Sequence, residues 1–270
     1  MRGVSVLLAA GTLSLALSLH ARADTSPFDA VDHLANDKAA AVELLKAQAE
    51  RQVALAAGDR LFVAYLNTAS LGEAARLQPR IKALLVTLLD RFGIREVSVA
   101  DRSGTFLARA GNFDRTTQSL DPKTDPLLKA GFAATQRRAA TVQADLRLNL
   151  IAPVVYRAQN EFVVSARQDY TSYQAVLAYG LSADRFAVLT ATDGIIVADS
   201  RKGATGGTAI VAKWTLKAIR KAAPAGHGEI VAGETHYRVS YRPVGVWTIV
   251  AVERVPAPRR CHSEGARLCG

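Results

Sequence analysis

Val97-Ser98-Val99-Ala100-Asp101-Arg102-Ser103-Gly104-Thr105-Phe106-Leu107-Ala108-Arg109 contains two strand-like runs joined by a glycine-bearing turn. Glu96 begins the first run. Paired runs of this kind predict a β-hairpin. A second pair lies further along. Phe186 to Ala191 is apolar, Thr192-Asp193-Gly194 turns, and Ile195 to Asp199 is apolar again. The turn glycines Gly104 and Gly194 are 90 residues apart, as are Pro153 and Pro243. Each half runs hairpin, helix, then terminal strands. A period of this length predicts duplication of a whole unit rather than a solenoid repeat.

Working outward, Asp125-Pro126 starts a helix to about Arg138 with a cap and an N1 proline. Leu146 to Tyr156 and Glu161 to Gln168 are strand candidates around a turn at 157–160. In the second half, Gly203 to Gly207 is a loop, and Thr208 caps a helix to Ala223 with Ile210, Val211, Trp214 and Ile219 inward. Three strand candidates follow: Gly226 to Ala232, His236 to Pro243 and Trp247 to Glu253. Upstream, residues 24–36 read as a leader, and Asp37 caps a helix from Lys38 to about Ala57. Val42, Leu45, Ala49, Val53 and Ala56 line one face of it, and Gly58 stops it. A short helix over Leu61–Asn67 follows, and Leu71–Phe92 is again helical, with Pro79 near a break. The expected class is α+β: a long N-terminal helical stretch, then two PAS-like units, each an antiparallel sheet flanked by helices. The expected boundaries are 1–23, 24–92, 93–180, 181–255 and 256–270.

Residues 1–23 read as an export signal. Arg2 supplies the charge, Val4 to Leu19 the apolar run, and Ala21-Arg22-Ala23 a cleavage site before Asp24. The expected location is periplasmic or secreted; an uncleaved inner-membrane anchor is the alternative. Without Arg2 and Arg22 the chain carries 32 Lys+Arg against 24 Asp+Glu, or +8. These charges are scattered rather than striped, which together with export argues against a nucleic-acid partner. The two cysteines, Cys261 and Cys269, sit in the polar tail, where they could close a small disulfide loop. With His262 they make a poor zinc set, and no metal or other cofactor is expected.

Catalytic chemistry is thin. His33, His227, His236 and His262 lack metal-pair spacing, and no Gly-x-Ser-x-Gly elbow occurs. The 203–207 loop lacks the Lys-Ser/Thr of a phosphate loop. An enzyme is not expected.

The order of elements resembles the double Cache sensory domain of bacterial chemoreceptors and histidine kinases. The resemblance rests on Val97 to Arg109 around its D-x-x-G-like turn and on Leu150-Ile151-Ala152-Pro153-Val154-Val155-Tyr156. Leu189 to Ala198 and Tyr237 to Val252, with Gly245-Val246-Trp247-Thr248, repeat these features. It covers about residues 38–255. It implies a five-stranded antiparallel sheet in each unit, and a small-molecule ligand of the amino-acid or organic-acid class in the membrane-distal unit, about 93–180. The chain departs from the family in having no tryptophan between 24 and 213, where amino-acid-binding members carry one in their ligand motif. It also departs in the polar tail after Val255, where full receptors continue into a second membrane helix.

Within the implied distal unit, Arg109 ends the first hairpin and Arg115 follows it. Arginine grips a carboxylate through two parallel hydrogen bonds. Tyr156 could add a hydroxyl, and Asp169-Tyr170 an amine-binding carboxylate and a second hydroxyl; the resemblance places an acidic ligand residue near Asp169. The plainer reading of each is a solvated arginine or a core tyrosine. The expected function is an exported sensory module that signals through a membrane-bound partner. The alternatives are a ligand-free scaffold, dimerising through the helices of 38–92, and a remnant of a membrane receptor.

Overall fold

The computed structural model describes residues 26–256, apart from 114–118, 122, 135–139, 145–146, 192–194 and 202–224. The expected export signal, Arg115, Gly194, the helix of 208–223 with Trp214, and both cysteines lie outside the described residues.

Three helices open the described chain: α1 (Asp29–Ala57), α2 (Arg60–Leu66) and α3 (Leu71–Val86). The first is longer than the sequence suggests. Asp37 is an exposed mid-helix residue, not a cap, and residues 29–36 are helical rather than a leader. Val31 and Ala35 extend the buried stripe of Val42, Ala49 and Val53 by about three turns. Asp29 and Asp32 in the first turn complement the helix dipole in place of a side-chain cap. Pro79 lies inside α3 without ending it, and the helix stops at Val86 rather than Phe92. Its end is the positive-φ run of Asp90, Phe92 and Gly93, which turns the chain into the first strand.

That strand is β1 (Ile94–Asp101), paired with β2 (Phe106–Gly111). Asp101 Oδ1 accepts from Ser103 N at 2.8 Å and Thr105 N at 3.0 Å, which closes the predicted turn. Gly104 sits there at φ 83°, and a Cβ on it would lie 1.9 Å from the Leu120 carbonyl oxygen. Then come α4 (Pro126–Ala133), β3 (Ala140–Ala144), β4 (Arg147–Tyr156) and β5 (Gln159–Gln168). β3 was not foreseen. Asp125 caps α4 as expected, accepting from Leu127 N and Leu128 N at 2.9 Å. The β4–β5 turn is only Arg157-Ala158, both at positive φ, so Asn160 belongs to β5. The Asn160 amide donates to the Ala134 carbonyl at 2.8 Å and so ties the end of α4 to the sheet.

Helix α5 (Tyr170–Ala178) leads to β6 (Arg185–Ala191), β7 (Ile196–Asp199), β8 (Gly226–Ala232), β9 (Thr235–Val244) and β10 (Trp247–Val255). The two five-stranded sheets have orders β2-β1-β5-β4-β3 and β7-β6-β10-β9-β8, the same path traced twice. Even the irregularities match. The β1–β2 register shifts between Val99 and Ala100, and the β6–β7 register shifts between Leu189 and Thr190. Pro153 and Pro243 occupy equivalent rungs, opposite Val163 and Thr248 on the neighbouring strand.

One apolar cluster runs from α1 through the inner face of the first sheet (Val97, Val99, Leu150, Val164) to Leu189 and Ile249 of the second. The outer face of the first sheet meets α4 through Ala100, Leu128, Ile151 and Val163. A buried lysine joins α1 to α5. Lys38 Nζ donates to the carbonyls of Val176 (3.1 Å) and Tyr179, at the C-terminal end of α5. Burial pushes the Lys38 ammonium below its usual range, against the opposing pull of Asp37. Hydrogen bonds from a charged donor are worth about 1.5–3 kcal/mol. Lys38→Met should therefore cost about 1.5 kcal/mol of stability, read by urea unfolding at pH 7.

Candidate functional site

Alternation along a strand sends successive side chains to opposite faces. On β1, Val97 and Val99 face the core, so Glu96 and Ser98 face outward. On β5 the outward residues include Ser165 and Arg167; on β4 they include Asn149. The register aligns these into rungs: Arg109, Ser98 and Ser165 form one, and Glu96, Arg167 and Asn149 the next. These residues line a cavity of about 150 Å³, closed by Phe106, Phe113, Leu120 and Leu127. A cavity of that order holds a single small ring or a metabolite of similar size.

The cavity is polar on its floor and aromatic at one end. The Arg109 guanidinium lies over two rings, 4.5 Å from Phe106 and 4.1 Å from Phe113. The Ser98 and Ser165 hydroxyls are 3.1 Å apart. Arg167 Nη1 pairs with Glu96 at 2.7 Å. Arg167 Nε is buried and has no hydrogen-bond partner among the described residues. Asn149 is buried as well.

Glu96 and Arg167 also line a second depression, of about 190 Å³, with Arg95, Gln168, Asp169 and Tyr170. Asp169 does two jobs there. It caps α5, accepting from Thr171 N at 2.9 Å, and it receives Arg95 Nε at 3.4 Å. Burial raises its carboxyl, but the Thr171 hydrogen bonds and Arg95 outweigh that and hold it below the ordinary 3.8.

Of the residues singled out from sequence, Arg109 lines the main cavity, while Asp169 and Tyr170 line its neighbour. Tyr156 is in neither: its hydroxyl donates to Asn67, at the end of α2. Arg115 lies outside the described residues. Sequence reasoning missed Glu96, Ser98, Asn149, Ser165 and Arg167. The available signal was period-two alternation, polar at 96 and 98 between apolar 97 and 99.

The duplicated sheet tests whether the fold requires these polar groups. Matching rungs put Phe186 where Glu96 stands, Val188 for Ser98, Val250 for Ser165, Val252 for Arg167 and Val239 for Asn149. The second sheet buries Val188, Val239, Val250 and Val252 as an ordinary apolar cluster. The fold accommodates valine at these rungs, so the polar set of the first sheet is not a requirement of the architecture.

Two PAS-like sheets are served by one long helix, and among the described residues the first sheet carries a polar cavity. The chain has the double Cache fold. The ligand-binding domain of the Campylobacter jejuni chemoreceptor Tlp3, solved with 4-methylisoleucine, is similar at TM-score 0.65 and 11% identity, over 86% of this chain and 93% of that one. The ligand-binding domain of the Pseudomonas fluorescens chemoreceptor CtaA, solved with L-alanine, gives 0.57 and 14%, over 84% and 97%. The sensor domain of the Vibrio cholerae histidine kinase DctB gives 0.53 and 16%, over 84% and 95%. All three are sensory domains rather than enzymes. No family model and no curated protein matches the sequence. Among the described residues no helix is long and apolar enough to cross a membrane, and no group of three or more His, Cys, Asp or Glu could hold a metal.

Asp169→Ala should cost about 1 kcal/mol at pH 7 through the lost cap. Asp169→Asn keeps the cap and should cost only a few tenths, since the Arg95 pair is exposed. A carboxyl held low in the folded state stabilises above its unfolded value and loses that contribution as pH falls through the folded one. The deficit of Asp169→Ala should therefore shrink below about pH 3.8, read by urea titrations at stepped pH.

Proposed function

We propose that this chain is an exported sensory module that binds a small carboxylate, an amino acid or organic acid, in the first-sheet cavity and reports occupancy to a membrane-bound partner. Under this reading residues 93–180 are the ligand unit and 181–255 the transmitting unit. One observation carries it: five buried or half-buried polar positions in the first sheet are phenylalanine or valine at the matching rungs of the second. A buried polar atom with no partner, as Arg167 Nε is among the described residues, costs about 1–3 kcal/mol, so a sheet that retains it needs another reason to do so. A ligand carboxylate supplies an acceptor for the orphan Nε of Arg167, beside the Arg109 guanidinium, and Glu96 is the nearby acid for a ligand amine. The solved neighbours are consistent with this: two of them were solved with 4-methylisoleucine and with L-alanine.

The test is a thermal-shift screen of the mature chain against amino acids and organic acids, followed by calorimetry. A ligand at a hundred times its dissociation constant adds about 2.7 kcal/mol of stability. Arg109→Ala and Arg167→Met should each abolish the shift while the protein stays folded, whereas Tyr156→Phe should leave it intact. Retention of affinity in both arginine variants would place the ligand elsewhere.

A second reading rests on α1. Leu44 and Leu55 are each 60% exposed. They stand three turns apart on one stripe, a pattern suited to pairing with a second copy. Leu44→Glu with Leu55→Glu should convert a dimer to monomer in light scattering; a wild-type monomer at high concentration would remove this reading.

A further inference from the structure

A second polar cluster lies on the opposite face of the second sheet. Along β4 the inward residues Leu148, Leu150 and Ala152 are core. The matching positions of β9 are Arg238, Ser240 and Arg242. The first turns of α1 lie against them. Ser240 Oγ donates to Asp32 Oδ1 at 2.5 Å, and His227 Nδ1 is 3.0 Å from Asp32 Oδ2. Arg242 Nη2 lies 3.3 Å from Asp32 Oδ1, and its Nε donates to Asn36 Oδ1 at 2.6 Å. The Phe28 ring stacks flat on the His227 imidazole, with centroids 4.2 Å apart and planes 7° apart. Apolar support here is small, a cluster of Val31, Ala35 and Ala251 with Phe28 and Leu34. Further along α1, Ala49, Val53, Ala56 and Ala57 belong to the main core. The far end of α1 is therefore held by burial in the main core, and the first turns by a smaller apolar cluster together with charge and hydrogen bonds.

We propose that Asp32, His227, Ser240 and Arg242 form a latch that fastens the first turns of α1 to β8 and β9, is tightened by protonation of His227, and opens without unfolding the rest of the chain. The first sheet shows that apolar residues satisfy the same positions of the strand. Partly exposed ion pairs of this kind add little stability, so a polar fastening makes sense where detachment matters. Among the described residues, the charged groups facing His227 are Asp32 from α1 and Arg242 from β9. β10 contributes only Ala251 at this rung, and Glu229 on β8 is taken by Arg238 at 3.6 Å. Asp29 is the other acid of the first turn of α1. A histidine gains its charge as pH falls from 8 to 5. The new cation then sits against the Asp32 carboxylate and the Phe28 ring face, and both attract it. Arg242 opposes it, but from the far oxygen of the carboxylate.

The carboxylate must stay ionised for this to work. Burial raises Asp32, but hydrogen bonds from Ser240 and His227, and the charges of His227 and Arg242, hold it below 3.8. A carboxyl with a lowered folded value contributes above its unfolded value and fails as pH falls through the folded one. The latch therefore fails once pH falls through the folded value of Asp32, which lies below the ordinary carboxylate range.

Hydrogen exchange by mass spectrometry on the full chain, corrected for intrinsic rates, tests this. Exposed ion pairs are worth up to about 1 kcal/mol. Acidification from pH 8 to 6 should therefore raise protection of the amides of residues 32–38 by about two- to fivefold, leaving 45–57 unchanged. His227→Gln, which keeps a hydrogen-bond donor but cannot titrate, should remove the pH response. Asp32→Asn should lower protection of 32–38 at both pH values with near-native circular dichroism. Protection of 32–38 that does not respond to pH in the wild type, or an unchanged response in His227→Gln, overturns the proposal. Loss of protection along all of α1 in Asp32→Asn would equally overturn it, because the helix would then detach as one piece.

Discussion

The structure depends on the burial of one continuous stripe of α1. Val31, Ala35, Val42, Ala49 and Val53 are all fully shielded from water. The helix packs on β4 and β5 of one sheet and on β9 and β10 of the other. An antiparallel sheet with one bare apolar face cannot stay in water, and here a single helix covers two such faces. That shared cover fixes where each sheet can direct its other face. The outer face of the first sheet is left for α4 and the cavity; α5, held to α1 by Lys38, bridges to the second.

Duplication makes the two sheets controls for each other. Their strand order, bulge position and proline rung agree, so differences at matching rungs are not demanded by the backbone. The polarity of the two faces is inverted between them. The first sheet is polar outward, at Glu96, Ser98 and Arg167, and apolar toward α1 along β4. The second is apolar outward, at Phe186, Val188 and Val252, and polar toward α1 along β9. Each polar face is where something other than core packing happens: a cavity in one case, the fastening of a helix end in the other.

Much of the local architecture was legible in the chain. The two hairpins, the Asp125 cap and the 90-residue repeat depend on neighbours in sequence, and the structure reproduces them. The start of α1 was misread because Asp37 looks like a cap. In the folded chain, burial of Val31 and Ala35 against the second sheet outweighs that local preference, and helix propensity differences of a few tenths of a kcal/mol per residue cannot compete. β3 was missed because an edge strand is defined by the strand it joins.

The sequence by itself determined the fold class and the repeat, because hairpin turns, caps and alternating apolar runs act within a few residues. It also offered Arg109 and Asp169 as candidates, and the fold places them in neighbouring cavities. Only the tertiary structure decided which residues share a surface. Glu96, Ser98, Asn149, Ser165 and Arg167 come from three strands, and no spacing in the chain brings them together. Strand register does so, by placing Ser98 opposite Ser165 and Arg167 between Glu96 and Asn149. Register is set by burial of the opposite face, since a slip of one residue would turn Val97, Val99 and Val164 out to solvent. The core therefore positions the polar floor of the cavity, and that long-range constraint cannot be read from the chain one segment at a time.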